Sequence, residues 1–177
     1  LLKYKMDRFY DHVADEYNYR KLENLIALFI KETNDRLKEK TIYSTTRFLY
    51  EFGLWLAKKN IKSILAYAAK HRVPVFSPAL VDSGYGEAYL RALNRIPQNK
   101  RKLIIEQFWD QEDIFRIAEW GRENGFEKGA GYLGGGVPKD FSQLVAVSQA
   151  LMRGSEKIFP YKYSFQITTD SPQWGGL

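Results

Sequence analysis

The sequence predicts an α/β fold, a parallel sheet flanked by helices with a helical segment on its N-terminal side. Three observations carry this. Strand-like and helix-like runs alternate from Val73 onward, which is the pattern of parallel strands joined by helical crossovers. Before Val73 the apolar residues recur at helical period. The 177 residues, 45% hydrophobic and 27% charged, suffice for one domain with a real core. No internal repeat, low-complexity tract or linker interrupts them, so residues 1–177 read as a single domain.

Along the chain, Leu22, Leu25, Ile26, Leu28, Phe29 and Ile30 mark a helix over about Asn18 to Lys31. Ser44 suits the N-cap of a second helix ending at Lys59, with Phe48, Leu49, Phe52, Trp55 and Leu56 inward. Ser63 caps a third, Ile64 to His71. Val73-Pro74-Val75-Phe76 reads as a short strand, confined by Pro74 to a sheet edge or a strand start. A helix is expected from about Glu87 to Asn94, a strand at Leu103-Ile104-Ile105 and a helix from Asp110 to Glu123. "AGYLGGG", Ala130 to Gly136, reads as a strand ending in a glycine turn. Pro138 then suits the first turn of a helix reaching Met152. Tyr163 to Thr168 is the last strand.

Composition narrows the function classes. There is no cysteine, which removes thiolate metal sites and cysteine nucleophiles from these residues and fits a cytoplasmic enzyme. His12 and His71 form no metal-binding spacing, so no metal site is expected. The net charge is +6, but 27 basic residues are interspersed with 21 acids and no basic block appears. A solvated surface, not a nucleic-acid interface, is the reading. No apolar run reaches membrane-span length, and no signal-peptide core follows Leu1.

Ligands of open α/β sheets bind outside the carboxyl ends of strands. Three such ends are expected here: the stretch "VPVFSPALVDSGYGEAY" (Val73 to Tyr89), Gly134-Gly135-Gly136, and Thr168-Thr169-Asp170. If the strands are parallel neighbours, these ends line one crevice. The glycines allow a backbone to approach a bulky ligand, and the helix behind them favours an anion. As a motif the triple glycine is weak, and a bare tight turn is its plain alternative. Asp82 and Glu87 are five residues apart across a glycine-rich turn. They are either a turn residue and a helix-start acid or carboxylates for ribose hydroxyls and an ammonium. Lys139 reads as a solvated first-turn lysine rather than a phosphate ligand or imine former.

"PVFSPALVDSGYGE" (74–87), "GGGVPKDF" (134–141) and "QITTDSPQWGGL" (166–177) together resemble the deoxyhypusine synthase family in its bacterial and archaeal "synthase-like" form. "RFYDHVADEYNYRKLENLI" and "STTRFLYEFG" resemble that family's middle region, so the likeness covers nearly the whole chain. The resemblance implies a Rossmann-like fold and a homotetramer with active sites at subunit interfaces. It implies NAD-dependent transfer of the aminobutyl group of spermidine, through an imine on an enzyme lysine, to an acceptor amine. That acceptor is a lysine of a hypusine-type translation factor or, in homospermidine synthases, putrescine. A non-catalytic polyamine- or NAD-binding subunit is the alternative from another class.

The resemblance also implies roles for single residues. Asp82, Gly135, Thr169 and Asp170 stand at cofactor-contacting positions. Glu87 replaces an Asp that holds a polyamine ammonium, and Gly175 and Gly176 fall on a substrate-lining turn. Asp140 occupies the place of an active-site His and is a candidate amine ligand. Leu177 stands where eukaryotic members carry a second polyamine-binding acid. The family's catalytic lysine is expected beyond Leu177, and its N-terminal NAD loops before Leu1. These residues are therefore expected to be a fragment that is inactive alone and to contain no catalytic nucleophile.

Overall fold

The computed structural model describes residues 6–9, 12–169 and 171. In chain order its elements are β1 (Met6–Phe9), β2 (His12–Asp15), α1 (Glu16–Arg36), β3 (Thr41–Tyr43), α2 (Thr45–Lys58), α3 (Ile64–Lys70), α4 (Gly84–Leu93), β4 (Leu103–Ile105), α5 (Trp109–Glu123), β5 (Gly129–Leu133), α6 (Val137–Met152) and β6 (Tyr163–Ile167). The α/β class holds, with β3 parallel to β4 and β5 parallel to β6. Among the described residues the strands form three two-stranded sheets rather than one continuous sheet, the third being the antiparallel hairpin β1–β2.

The chain divides into two compact units. The first comprises Leu1–Tyr43, Phe48–Val73 and Ala79–Ile105. Its core is an aromatic cluster: Phe29 lies 5.4 Å from Phe48, 4.9 Å from Phe52 and 5.7 Å from Trp55. Such tilted ring pairs add to the burial energy of the rings themselves. Helix α1 packs on α4, where the small Ala88 and Ala92 are fully buried. Arg91 reaches the buried Glu23 of α1 at 2.7 Å.

Helix α1 runs past the expected Lys31 to Arg36 because its polar last turn is tied down. The buried Asn34 donates to Lys100 O (3.0 Å) and accepts from Lys102 N (2.7 Å) and Leu103 N (3.2 Å). One amide thus satisfies backbone groups at the entrance to β4. Ser63 caps α3 as its sequence predicts, its hydroxyl accepting from Ala66 N at 3.1 Å.

The second unit comprises Ser44–Arg47, Pro74–Pro78 and Glu106–Leu177. Here α5 packs on α6 over Ala118, Val145, Ala146 and Ala150. The C-terminal half of α6 is anchored by Glu119, which accepts from Gln149 (2.7 Å), from Arg122 (3.3 Å) and from Arg153. Arg153 is the main cause holding the Glu119 carboxyl down to about 2, against the upward push of burial. Ser44 caps α2, accepting from Arg47 N at 3.1 Å.

Val73–Phe76 is not a strand. Residues 73–77 are extended chain without a ladder, exposed at Val73 and half-buried from Val75. Val73 N donates back to Ala68 O at 2.9 Å, and the partners further on are side chains. Ser77 N donates to Thr45 Oγ1 at 3.3 Å, and Gln107 donates to the Pro78 carbonyl. Pro74 and Pro78 supply no amide hydrogens, so a ladder here would be broken at both ends.

Candidate functional site

The acidic loop belongs to the first unit. Ser83 caps α4: its hydroxyl donates to Leu80 O (2.6 Å) and accepts from Tyr85 N (3.2 Å). The helix therefore starts three residues before the expected Glu87. Asp82 sits just ahead of the cap and Glu87 in the first turn, both exposed. Each carboxylate stands where the positive end of the helix dipole stabilises it. Gly86 is required by contact: a Cβ there would overlap the Val81 carbonyl oxygen and lie 3.2 Å from its carbon. Tyr85 points inward, edge-on to Phe48 and Phe52 at 6.2 Å, and burial raises its phenol above the ordinary value. The glycines and the serine thus fold two acids onto the start of a helix whose inward tyrosine fixes it to the core.

The glycine turn belongs to the second unit. Parallel register sets Leu133 opposite Ile167, so the segments leaving β5 and β6 emerge side by side. Gly134 N donates to Ile167 O at 2.8 Å, closing that end. Gly135 and Thr169 are thereby brought to one sheet end, as the sequence predicts. Gly134 (φ 86°) and Gly136 (φ 74°) adopt the left-handed backbone that favours glycine, with open space where a Cβ would stand. Gly136 is the N-cap of α6, followed by Pro138 in the first turn. The Gly135 N–H makes no hydrogen bond among the described residues. Asp140 is exposed in the first turn of α6, its N–H donating to Gly136 O at 3.1 Å. Asp170, Gly175, Gly176 and Leu177 lie outside the described residues.

Lys139 differs from its expected solvated role. It is 5% exposed, its ammonium 2.9 Å from Gln166 Oε1 and 5.7 Å from the centre of the Tyr132 ring. Gln166 in turn donates to Gly134 O at 2.8 Å. Gln166 is the only amide of β6, Tyr163-Ser164-Phe165-Gln166-Ile167. Asp110 is a second residue the sequence reading assigned no part beyond a helix start. It is 1% exposed and accepts from Thr45 Oγ1 (2.6 Å), Thr46 N (3.1 Å) and Thr46 Oγ1 (3.0 Å). A buried carboxylate is tolerated here because it has three donors and the amino ends of α2 and α5. Beside it, Pro78, Gln107, Phe108, Gln111 and Phe141 line a cavity of about 250 Å³. No helix among the described residues is long and apolar enough to cross a membrane.

Comparison with known proteins matches this arrangement to one family. The family model described as deoxyhypusine synthase matches residues 1–177. A probable deoxyhypusine synthase 2 of Methanosarcina mazei is 36% identical over 179 residues, covering 100% of this chain and 48% of the relative. One of the same description from Archaeoglobus fulgidus is 34% identical over 172 residues, 97% of this chain and 51% of the relative. A deoxyhypusine synthase-like protein of Caulobacter vibrioides is 31% identical over 167 residues, 92% of this chain and 42% of the relative. The chain spans about half the length of the curated relatives it matches. With the family model matching from first residue to last, the chain belongs to the deoxyhypusine synthase family.

Proposed function

We propose that the complete protein is a transferase that moves the aminobutyl group of spermidine to an acceptor amine, with NAD as its redox cofactor. The observation that carries this reading is the family match along the whole chain, which includes both the acidic loop and the glycine turn. The acceptor is a protein lysine, as the family name implies. The same reading has the complete enzyme acting as a homotetramer in the cytoplasm.

The residues at the β5–β6 end fit a dinucleotide. Among the described residues nothing stands where a Cβ on Gly134 or Gly136 would lie, and the amino end of α6 lies directly behind the turn. Gly135 would offer its N–H there, with Thr169 on the neighbouring strand end; Asp82 and Asp170 are assigned to the cofactor by family membership alone. When bound, NAD supplies the hydride acceptor for oxidising an amine carbon. The chain's own part is to bind and orient. Glu87, exposed at the first turn of α4, is the carboxylate for one ammonium of spermidine. Asp140 would serve a second amine, and Gly175 and Gly176 would line the substrate. The covalent step itself has no nucleophile assigned in this chain, and Lys139, buried against Gln166, is not offered for it.

The test is Glu87→Ala in the full-length protein, with NAD affinity and spermidine kinetics measured together. A charge-assisted hydrogen bond contributes about 1.5–3 kcal/mol, so spermidine KM should rise roughly 10- to 100-fold. NAD affinity should stay within about two-fold. Equal loss of both, or loss of neither, would overturn the assignment of Glu87.

A further inference from the structure

We propose that Lys139 and Gln166 are a positioning pair that sets which way the Gly134–Gly135 peptide faces, and so aims the Gly135 N–H at the cofactor. This rests on the reading of the glycine turn as the NAD turn.

The inference follows from what each group can donate. An ammonium only donates, so Lys139 Nζ at 2.9 Å obliges Gln166 to present its oxygen. The amide nitrogen is then left facing the Gly134 carbonyl, to which it donates at 2.8 Å. Reversing the amide would set NH2 against NH3+ and carbonyl against carbonyl. Lys139 therefore dictates the state of a carbonyl it does not itself touch.

That carbonyl decides the next donor. The chain has no cis peptide bonds, and across a trans peptide the Gly134 C=O and the Gly135 N–H point in opposite directions. With the Gly134 N–H on Ile167 O and its C=O on Gln166, both polar groups of Gly134 are committed to β6. The Gly135 N–H is thereby turned away from β6. The turn does not hold this by itself, because Gly134 and Gly135, which flank this peptide, carry no side chain that would resist a flip. An apolar residue in place of Lys139 would fill the buried space without the desolvation cost of a charge. It could not choose the orientation of the Gln166 amide.

The experiment titrates NAD into the full-length protein by calorimetry and follows thermal unfolding, for wild type, Gln166→Glu and Lys139→Met. Gln166→Glu keeps an acceptor for Lys139 but has no donor for the Gly134 carbonyl. Its Tm should hold, while the Kd for NAD should rise about ten-fold, the worth of one directed hydrogen bond. Lys139→Met, which removes the ammonium from the Gln166 oxygen, should weaken NAD in the same direction. Combining it with Gln166→Glu should add less than the two single effects together, because both act through one peptide. Wild-type binding with unchanged affinity in both variants overturns the pair. So does an affinity loss in Gln166→Glu that merely follows a fall in Tm. A wild type that takes up no NAD overturns the cofactor reading instead.

Discussion

Gly86→Ala reverses the usual sign of a glycine substitution inside a helix. Gly86 lies in α4 with ordinary helical backbone, where alanine normally stabilises by about 1 kcal/mol. Here the new methyl would overlap Val81 O and sit 3.2 Å from Val81 C. Ordinary carbon contacts lie near 3.5–4.0 Å, so relief needs a shift of roughly 1 Å in the loop or the helix start. That shift strains the Ser83 hydroxyl bond to Leu80 O (2.6 Å) and the Gly86 N bond to Ser83 O (2.9 Å). Overpacking of this kind costs about 1–3 kcal/mol, and the lost cap geometry adds to it, so the net change should be a loss of about 1–2 kcal/mol. Urea unfolding of the full-length protein measures it; under the proposed function spermidine KM is a second readout, because Glu87 rides on the displaced turn. A variant as stable as wild type, or more stable, would refute the claim that the glycine is there for close backbone approach.

Three further perturbations test the scaffold of the second unit. Asp110→Ala leaves two threonine hydroxyls and the Thr46 N–H without their acceptor, and should cost about 3 kcal/mol by denaturant unfolding. Thr46→Val, which removes one donor, should cost about 1 kcal/mol. Glu119 has a folded-state pKa of about 2, below its ordinary 4.5, so its stabilisation is complete above 4.5 and fades as pH falls toward 2. Stability measured across that window should fall more steeply for wild type than for Glu119→Gln. Parallel slopes would refute the Arg153 clamp.

Features governed by near neighbours in the chain were legible. Ser44 and Ser63 cap helices because a hydroxyl three residues ahead of a free N–H is a local arrangement. The strands at Leu103 and Tyr163 and the helix behind Pro138 are legible for the same reason. The start of α4 was hidden, because Gly84 and Gly86 read as a turn until the Val81 carbonyl is known to press on Gly86. Val73–Phe76 has strand composition, but a strand also needs a partner, and that chain segment meets a threonine and a glutamine instead. β3 is three residues long and shows no alternation to read. At the candidate site, Gly135 and Thr169 follow the same sheet end because β5 and β6 pair in parallel, which strand order suggested. The burial of Asp110, Lys139 and Gln166 could not be read, since a buried polar group is explained only by distant partners that folding supplies.

The parallel pairing of β5 and β6 separates two kinds of inherited change. The segments that follow β5 and β6 leave from the carboxyl ends of their strands, whereas the connection from α6 into β6, residues 153–162, enters at the opposite end. Insertions and deletions in that connection alter the length of the protein without lengthening either segment at the glycine turn. In a hairpin the same two strand ends would be joined by one loop or face opposite ways, and any length change would fall on the site itself. A lineage carrying this unit can therefore remodel its crossover while the geometry of the glycine turn stays the same.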